Sequence, residues 1–145
     1  MSKLVEAMKV LLADTFAFRI KAQMYHWNIE GPDFVQYHKF LGDIYTEADS
    51  NIDTIAEHIR ALGSYAPGSF ARFTELSNIK DEQELPNALE MLNRLNSDLK
   101  ILHSDMLTIH TLSQEENQYG ISNFIEGLID SIEKTQWIFT SILKR

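Results

Sequence analysis

Apolar residues recur through the first stretch of the chain at Leu4, Val5, Met8, Leu11, Leu12, Phe16 and Ala22. Steps of three and four place them on one helical face, so the spacing predicts an amphipathic helix over residues 2–26. Ser2 is placed to cap it, with Glu6 in the first turn. Gly31-Pro32 ends the segment, and Asp33 caps a second helix over 34–62 that carries Leu41, Tyr45, Ala48, Ile52, Ile55 and Ile59. Gly63 is a natural stop. At 1.5 Å per residue the second helix is ~43 Å long, the scale of a bundle helix.

The periodicity then breaks. Gly63, Pro67 and Gly68 open a stretch of about 20 residues, too long for a structureless loop in a compact domain. It is read as a crossover carrying one short helix over 70–76. A third helix is expected from Glu82 or Leu85 to His110, with Pro86 in its first turn, where proline is tolerated. Ser113 to Gln118 and Gly120 form a turn, and a fourth helix takes 121–143. Gly127 inside it reads as a point of close helix packing. The fold class is therefore all-α: a four-helix bundle with a short helix in the long crossover between the second and third helices, one domain over 1–145. Such a crossover lets neighbouring helices run parallel.

Composition narrows the chemistry. The chain has 145 residues and no cysteine, which excludes disulfides, thiolate nucleophiles and sulfur-ligated metals. Any metal must be held by His, Asp and Glu. The net charge of −8 opposes non-specific nucleic-acid binding and favours cations. No apolar run approaches the ~20 residues of a membrane span. The beginning, MSKLVEAMKVLL, lacks a signal-peptide pattern because Glu6 and Lys9 interrupt it. A cytoplasmic location is the expectation.

Ligand-type residues concentrate between positions 26 and 57. Asp53 and Glu57 are four apart, hence on one face of the second helix. Such pairs are often just solvated acids, but these two flank the apolar stripe, where like charges repel unless a cation intervenes. His26 ends the first helix and His38 lies one turn into the second, so the two can approach each other. Two imidazoles and two carboxylates suit iron better than closed zinc sites or all-oxygen calcium sites. Along a continuous helix, however, His38 and Asp53 are ~22 Å apart. Either the two pairs serve separate purposes, or one pair meets the other across a two-fold dimer. The dimer is the sharper reading. The Glu-x-x-His pattern of a di-iron centre inside one bundle is absent. His103 and His110, seven apart, read as surface or core-edge residues, and His58 is turned away from Glu57.

The run His26-Trp27-Asn28-x-x-Gly31-x-x-Phe34-x-x-x-His38, followed by Asp53-x-x-Ala56-Glu57-x-Ile59-Arg60, resembles the Dps family (DNA-binding proteins from starved cells, the mini-ferritins). Leu62-Gly63, Phe73-Thr74-Glu75-Leu76-Ser77 and Glu133-Lys134-Thr135-x-Trp137 extend the likeness over nearly the whole chain. The resemblance implies a ferritin-like bundle assembled from two-fold dimers into a hollow dodecamer. It implies a ferroxidase that oxidises Fe(II) with hydrogen peroxide, stores ferric mineral and protects against oxidative damage. His26 and His38 of one subunit would bind iron with Asp53 and Glu57 of its mate, and Trp27 would serve as a catalytic one-electron relay. Three positions depart from the family. Gly42 stands where members often carry an acid. Gln118 and Asn123 are neutral at the expected iron-entry pore, leaving Glu126 and Asp130 as substitutes. The Lys/Arg-rich tail is missing, so DNA binding through a tail is not expected. The alternative is a shell-forming structural or DNA-protecting protein with a weakened site.

Overall fold

The computed structural model describes residues 2–144. Its helices are α1 (Lys3–Asn28), α2 (Phe34–Ala61), α3 (Phe70–Leu76), α4 (Ala88–Glu115) and α5 (Tyr119–Leu143). The described residues contain no strand.

Local signals explain most boundaries. Ser2 accepts a hydrogen bond from Val5 N at 3.2 Å and starts α1. α2 stops where Gly63 adopts φ +89° and its N–H reaches the Arg60 carbonyl at 2.9 Å. Only glycine enters that region without strain. α3 begins at Ser69, whose hydroxyl accepts from Arg72 N at 3.1 Å.

α4 departs from the expectation at both ends. It begins at Ala88, not at Glu82 or Leu85, because Asn87 is the cap and accepts from Glu90 N at 2.9 Å. Pro86 therefore lies ahead of the helix, at the end of an extended strap over 77–87. At the other end α4 runs past His110 to Glu115. Ser113 is fully buried there, its hydroxyl bonding the His110 carbonyl at 2.8 Å and meeting Ser122 Oγ at 2.6 Å. A polar residue that finds its partners inside the bundle does not end a helix. Gly127 faces open space, so the close-packing role expected of it does not apply.

Cross-helix pairs give the topology. Lys21 meets Asp98 while Tyr25 joins Arg94 through Glu82, so α1 and α4 run antiparallel. His103 meets Glu133 and His110 meets Glu126, so α4 and α5 run antiparallel. Phe40 packs on Phe139 and His58 on Phe124, which sets α2 antiparallel to α5. α2 and α4 are therefore parallel, as the crossover requires.

α1 is more enclosed than an amphipathic stripe implies. α2, α3 and α4 all pack on it, and its buried set includes Lys9, Asp14, Thr15 and Lys21 beside Leu4, Met8, Leu11 and Tyr25. Each buried ionisable group costs several kcal/mol unless it is paired, and the pairs have structural consequences. Asp14 Oδ1 accepts from Ser77 Oγ (2.7 Å), Asn78 N (2.6 Å) and Ile79 N (3.3 Å). Lys21 Nζ lies 2.9 Å from Asp98 Oδ2 and donates to the Lys80 carbonyl at 3.2 Å. Polar groups thus fasten the strap to α1, beside the buried side chain of Ile79.

Candidate metal centre

The connection between α1 and α2 is short and sharply turned. Ile29, buried, donates to the Tyr25 carbonyl at 2.9 Å, and Gly31 turns the chain at φ +122°. The last turn of α1 thereby lies beside the first turns of α2.

His26 and His38 come together there. Their rings stack 3.9 Å apart with planes 13° from parallel. His26 Nδ1 is 2.5 Å from the His38 carbonyl, and His38 Nδ1 is 2.7 Å from the His26 carbonyl. A carbonyl only accepts, so each Nδ1 carries the proton, and the neutral ring keeps its lone pair on Nε2. This is how proteins commonly orient a metal-ligating imidazole: one nitrogen is held by a backbone acceptor and the other is left to bind. Phe34 stacks on His38 at 5.1 Å, and Tyr45 lies 5.3 Å from His26.

Gly42 belongs to this arrangement, which its place in the sequence does not disclose. A Cβ built there would lie 3.0 Å from His26 Cε1 and 3.2 Å from Nδ1. The bare backbone is the surface on which the His26 ring rests. The missing side chain that departs from the family pattern therefore has a local steric reason in this chain.

The carboxylate pair lies elsewhere. α2 is unbroken from Phe34 to Ala61, so His38 and Asp53 are ~22 Å apart along it. Asp53 and Glu57 are both exposed, and no ion pair engages them among the described residues. Within the described residues of one chain, no three His, Asp or Glu side chains gather as a metal site. The middle of the bundle holds a cavity of about 60 Å³ lined mainly by apolar side chains such as Phe18, Ile55, Leu102 and Leu128, its one carboxylate being the exposed Glu47, which accepts from Ser131. Carboxylates on facing helices would occupy that place in an intrasubunit di-iron centre.

The remaining candidates divide. Trp27 is 64% exposed, unusual for so large an indole. His58 packs on Phe124 at 4.9 Å and leaves Glu57 alone. His103 and His110 bridge to Glu133 (2.9 Å) and Glu126 (2.7 Å) on α5. Of the two acids considered for a pore, Glu126 is therefore engaged, and Asp130 pairs with Lys134 at 3.2 Å. Next to His26, Tyr25 is fully buried and donates to Glu82 Oε1 at 2.6 Å, and Arg94 Nη1 lies 2.5 Å from the same oxygen. Burial, then this hydrogen bond, pushes the Tyr25 phenol above its ordinary range. The Tyr25 bond chiefly holds the Glu82 carboxyl below its own.

Residues 5–145 match the model of the ferritin-like domain family. The crystal structure of a Dps protein from Vibrio cholerae O1, described as one of the ferritin-like diiron-carboxylate proteins, superposes with a TM-score of 0.95. It is 30% identical, with 98% of this chain and 89% of that one covered. This chain belongs to the ferritin-like family, among the Dps proteins. Antigen TpF1 of Treponema pallidum is 30% identical to this Dps chain over 140 residues, covering 96% of it and 79% of the antigen. The DNA protection during starvation protein of Brevibacillus brevis is 25% identical over 133 residues, covering 92% and 89%. The ferritin-like bundle expected from the periodicity and the Dps resemblance is the fold observed. No helix among the described residues is long and apolar enough to cross a membrane.

Proposed function

We propose that this Dps chain is a ferroxidase and iron store whose metal site forms between two copies. Nε2 of His26 and His38 in one subunit would bind Fe(II) together with Asp53 and Glu57 of its two-fold mate, giving two sites per dimer. The observation that carries this reading is the paired histidines, each held through Nδ1 with Nε2 left for a metal. Exposed carboxylates without ion-pair partners, too far along the same helix to reach them, supply the other half. The acidic surface charge draws cations toward the protein.

Iron is the substrate here. Each Fe(II) gives one electron, and hydrogen peroxide takes two electrons and two protons to become two waters. The second electron to peroxide comes from another Fe(II) or from the Trp27 indole, which a later Fe(II) would re-reduce. Removing Fe(II) and peroxide together suppresses hydroxyl radical. Ferric product is stored inside a hollow shell of such dimers, which we take to be a dodecamer.

The test is stopped-flow Fe(II) oxidation with peroxide. The His26→Ala/His38→Ala double variant is expected to lose at least about 100-fold in rate, since loss of a ligand's supporting partner alone costs roughly 10–100-fold. A rate equal to the parent's, with assembly intact by light scattering, would refute the assignment.

Gly42 gives a finer prediction. A methyl group at that position pushes the His26 ring a few tenths of an ångström off its seat. A displaced rotamer costs about 1 kcal/mol, so Gly42→Ala should weaken Fe(II) binding about fivefold. Titration calorimetry under anaerobic conditions measures this, and unchanged affinity would show that the ring position does not matter.

A further inference from the structure

A second cluster of ionisable groups lies outside the proposed iron site, in the seam between α1 and α4. Asp14 is fully buried, and its Oδ1 already takes three donors from Ser77, Asn78 and Ile79. Its other oxygen, Oδ2, has no donor, and neither does the buried Oδ2 of Asp105 on α4. The antiparallel register that sets Lys21 against Asp98, and Tyr25 and Arg94 on one Glu82 oxygen, sets Asp14 opposite Asp105 two turns further along the seam. Two buried, unpartnered carboxylate oxygens facing one another are unfavourable both by desolvation and by mutual repulsion.

We propose that Asp14 and Asp105 share one proton, carried on Asp105 and donated to Asp14 Oδ2, and that this proton latches the crossover strap onto the bundle. The donors decide which partner is the acid. Asp14 Oδ1 takes three hydrogen bonds, which suits Asp14 to the acceptor's part, whereas the buried Oδ2 of Asp105 takes no donor among the described residues. Burial first, then the Asp14 hydrogen bond and charge, push the Asp105 carboxyl up to about 9. The other charged groups of the seam are already engaged. Lys21 of α1 is bound to Asp98 of α4 and to the Lys80 carbonyl, and Glu82 of the strap is bound by Tyr25 and Arg94. Lys9, also buried on α1, lies 3.9 Å from Glu6, and no group of three His, Asp or Glu side chains makes a metal site among the described residues.

The latch reaches further than its two residues. Asp14 holds 77–79, and the same strap continues to Glu82, the acceptor of Tyr25, one residue before His26. Loss of the proton places two negative charges in the seam and loosens the strap from α1.

The sign follows from linkage. A carboxyl whose pKa is raised by folding binds its proton more tightly in the folded chain. Its contribution to stability is then full below the ordinary carboxylate range and is lost as pH rises toward about 9. One proton changes the folding equilibrium at most about tenfold per pH unit.

Infrared spectroscopy of the assembled protein tests this directly. At pH 7 the parent should show the carbonyl stretch of a buried carboxylic acid, and Asp105→Asn should lack it. The amide introduced by Asp105→Asn donates the same bond without titrating, so the variant's thermal midpoint should fall less between pH 7 and 10 than the parent's. Absence of the acid band from the parent would overturn the proposal, even if the variant failed to fold. So would an equal pH slope in both proteins, or one tightly retained divalent metal per chain in place of the band.

Discussion

Mixing two variants, each lacking one half of the proposed site, is expected to restore Fe(II) oxidation that neither has alone. His26→Ala/His38→Ala lacks the imidazole half of the proposed site, and Asp53→Ala/Glu57→Ala lacks the carboxylate half. A dimer of either variant alone contains no complete site. A mixed dimer contains one complete site, with imidazoles from one chain and carboxylates from the other, and one site with neither half. Equal amounts reassociating at random make half the dimers mixed, so about a quarter of the parent's sites return. Stopped-flow oxidation of Fe(II) by peroxide, before and after dissociation and joint reassembly, measures the recovery. No recovery in a correctly reassembled shell would mean that the two halves do not meet across the interface. The experiment is decisive because a site within one chain gives no recovery at any mixing ratio.

Lys21→Ala is expected to be the most destabilising substitution in the bundle that leaves the proposed site intact. The Lys21 and Asp98 side chains are each 7% exposed. Removing one partner of a buried ion pair costs about 3–5 kcal/mol, because the other charge is left uncompensated. Burial already holds the Asp98 carboxyl above its ordinary range, with Lys21 pulling the other way. Without Lys21 that opposition is gone, so Asp98 keeps its proton to higher pH. The deficit should therefore be large at pH 7 and shrink toward pH 4, where the lone carboxyl is neutral. Urea unfolding at the two pH values checks this. Lys21→Met combined with Asp98→Leu should recover most of the loss, since well-packed apolar replacements of buried pairs are often neutral or better. Equal deficits at both pH values would show that the cost is lost packing of the lysine stem, not stranded charge.

The order of helices is legible because apolar spacing and glycine stops act locally. Ser2, Gly63 and the 70–76 helix fall where those signals put them. The ends of α4 are not, because its start depends on Asn87 as cap and its continuation on the buried Ser113–Ser122 contact. The second of these involves a residue on the next helix. The enclosure of α1 is hidden for a related reason. Lys9, Asp14 and Lys21 read as solvent-facing in a linear pattern, and the partners of Asp14 and Lys21 at 77–80 and 98 are far away in sequence. At the candidate site, the proximity of His26 and His38 follows from the short connection. Their exchange of backbone bonds does not, nor does the role of Gly42 as the seat of a ring. A residue whose contribution is an absent side chain leaves no mark in the pattern of apolar and polar positions.

The exchanged bonds between His26 and His38 make the pair a socket rather than a clasp. Each ring is held by Nδ1–H, and that proton is present whether or not Nε2 is also protonated. A metal bound at the proposed site would therefore meet two nitrogens already aimed, with no ring to turn on binding or release.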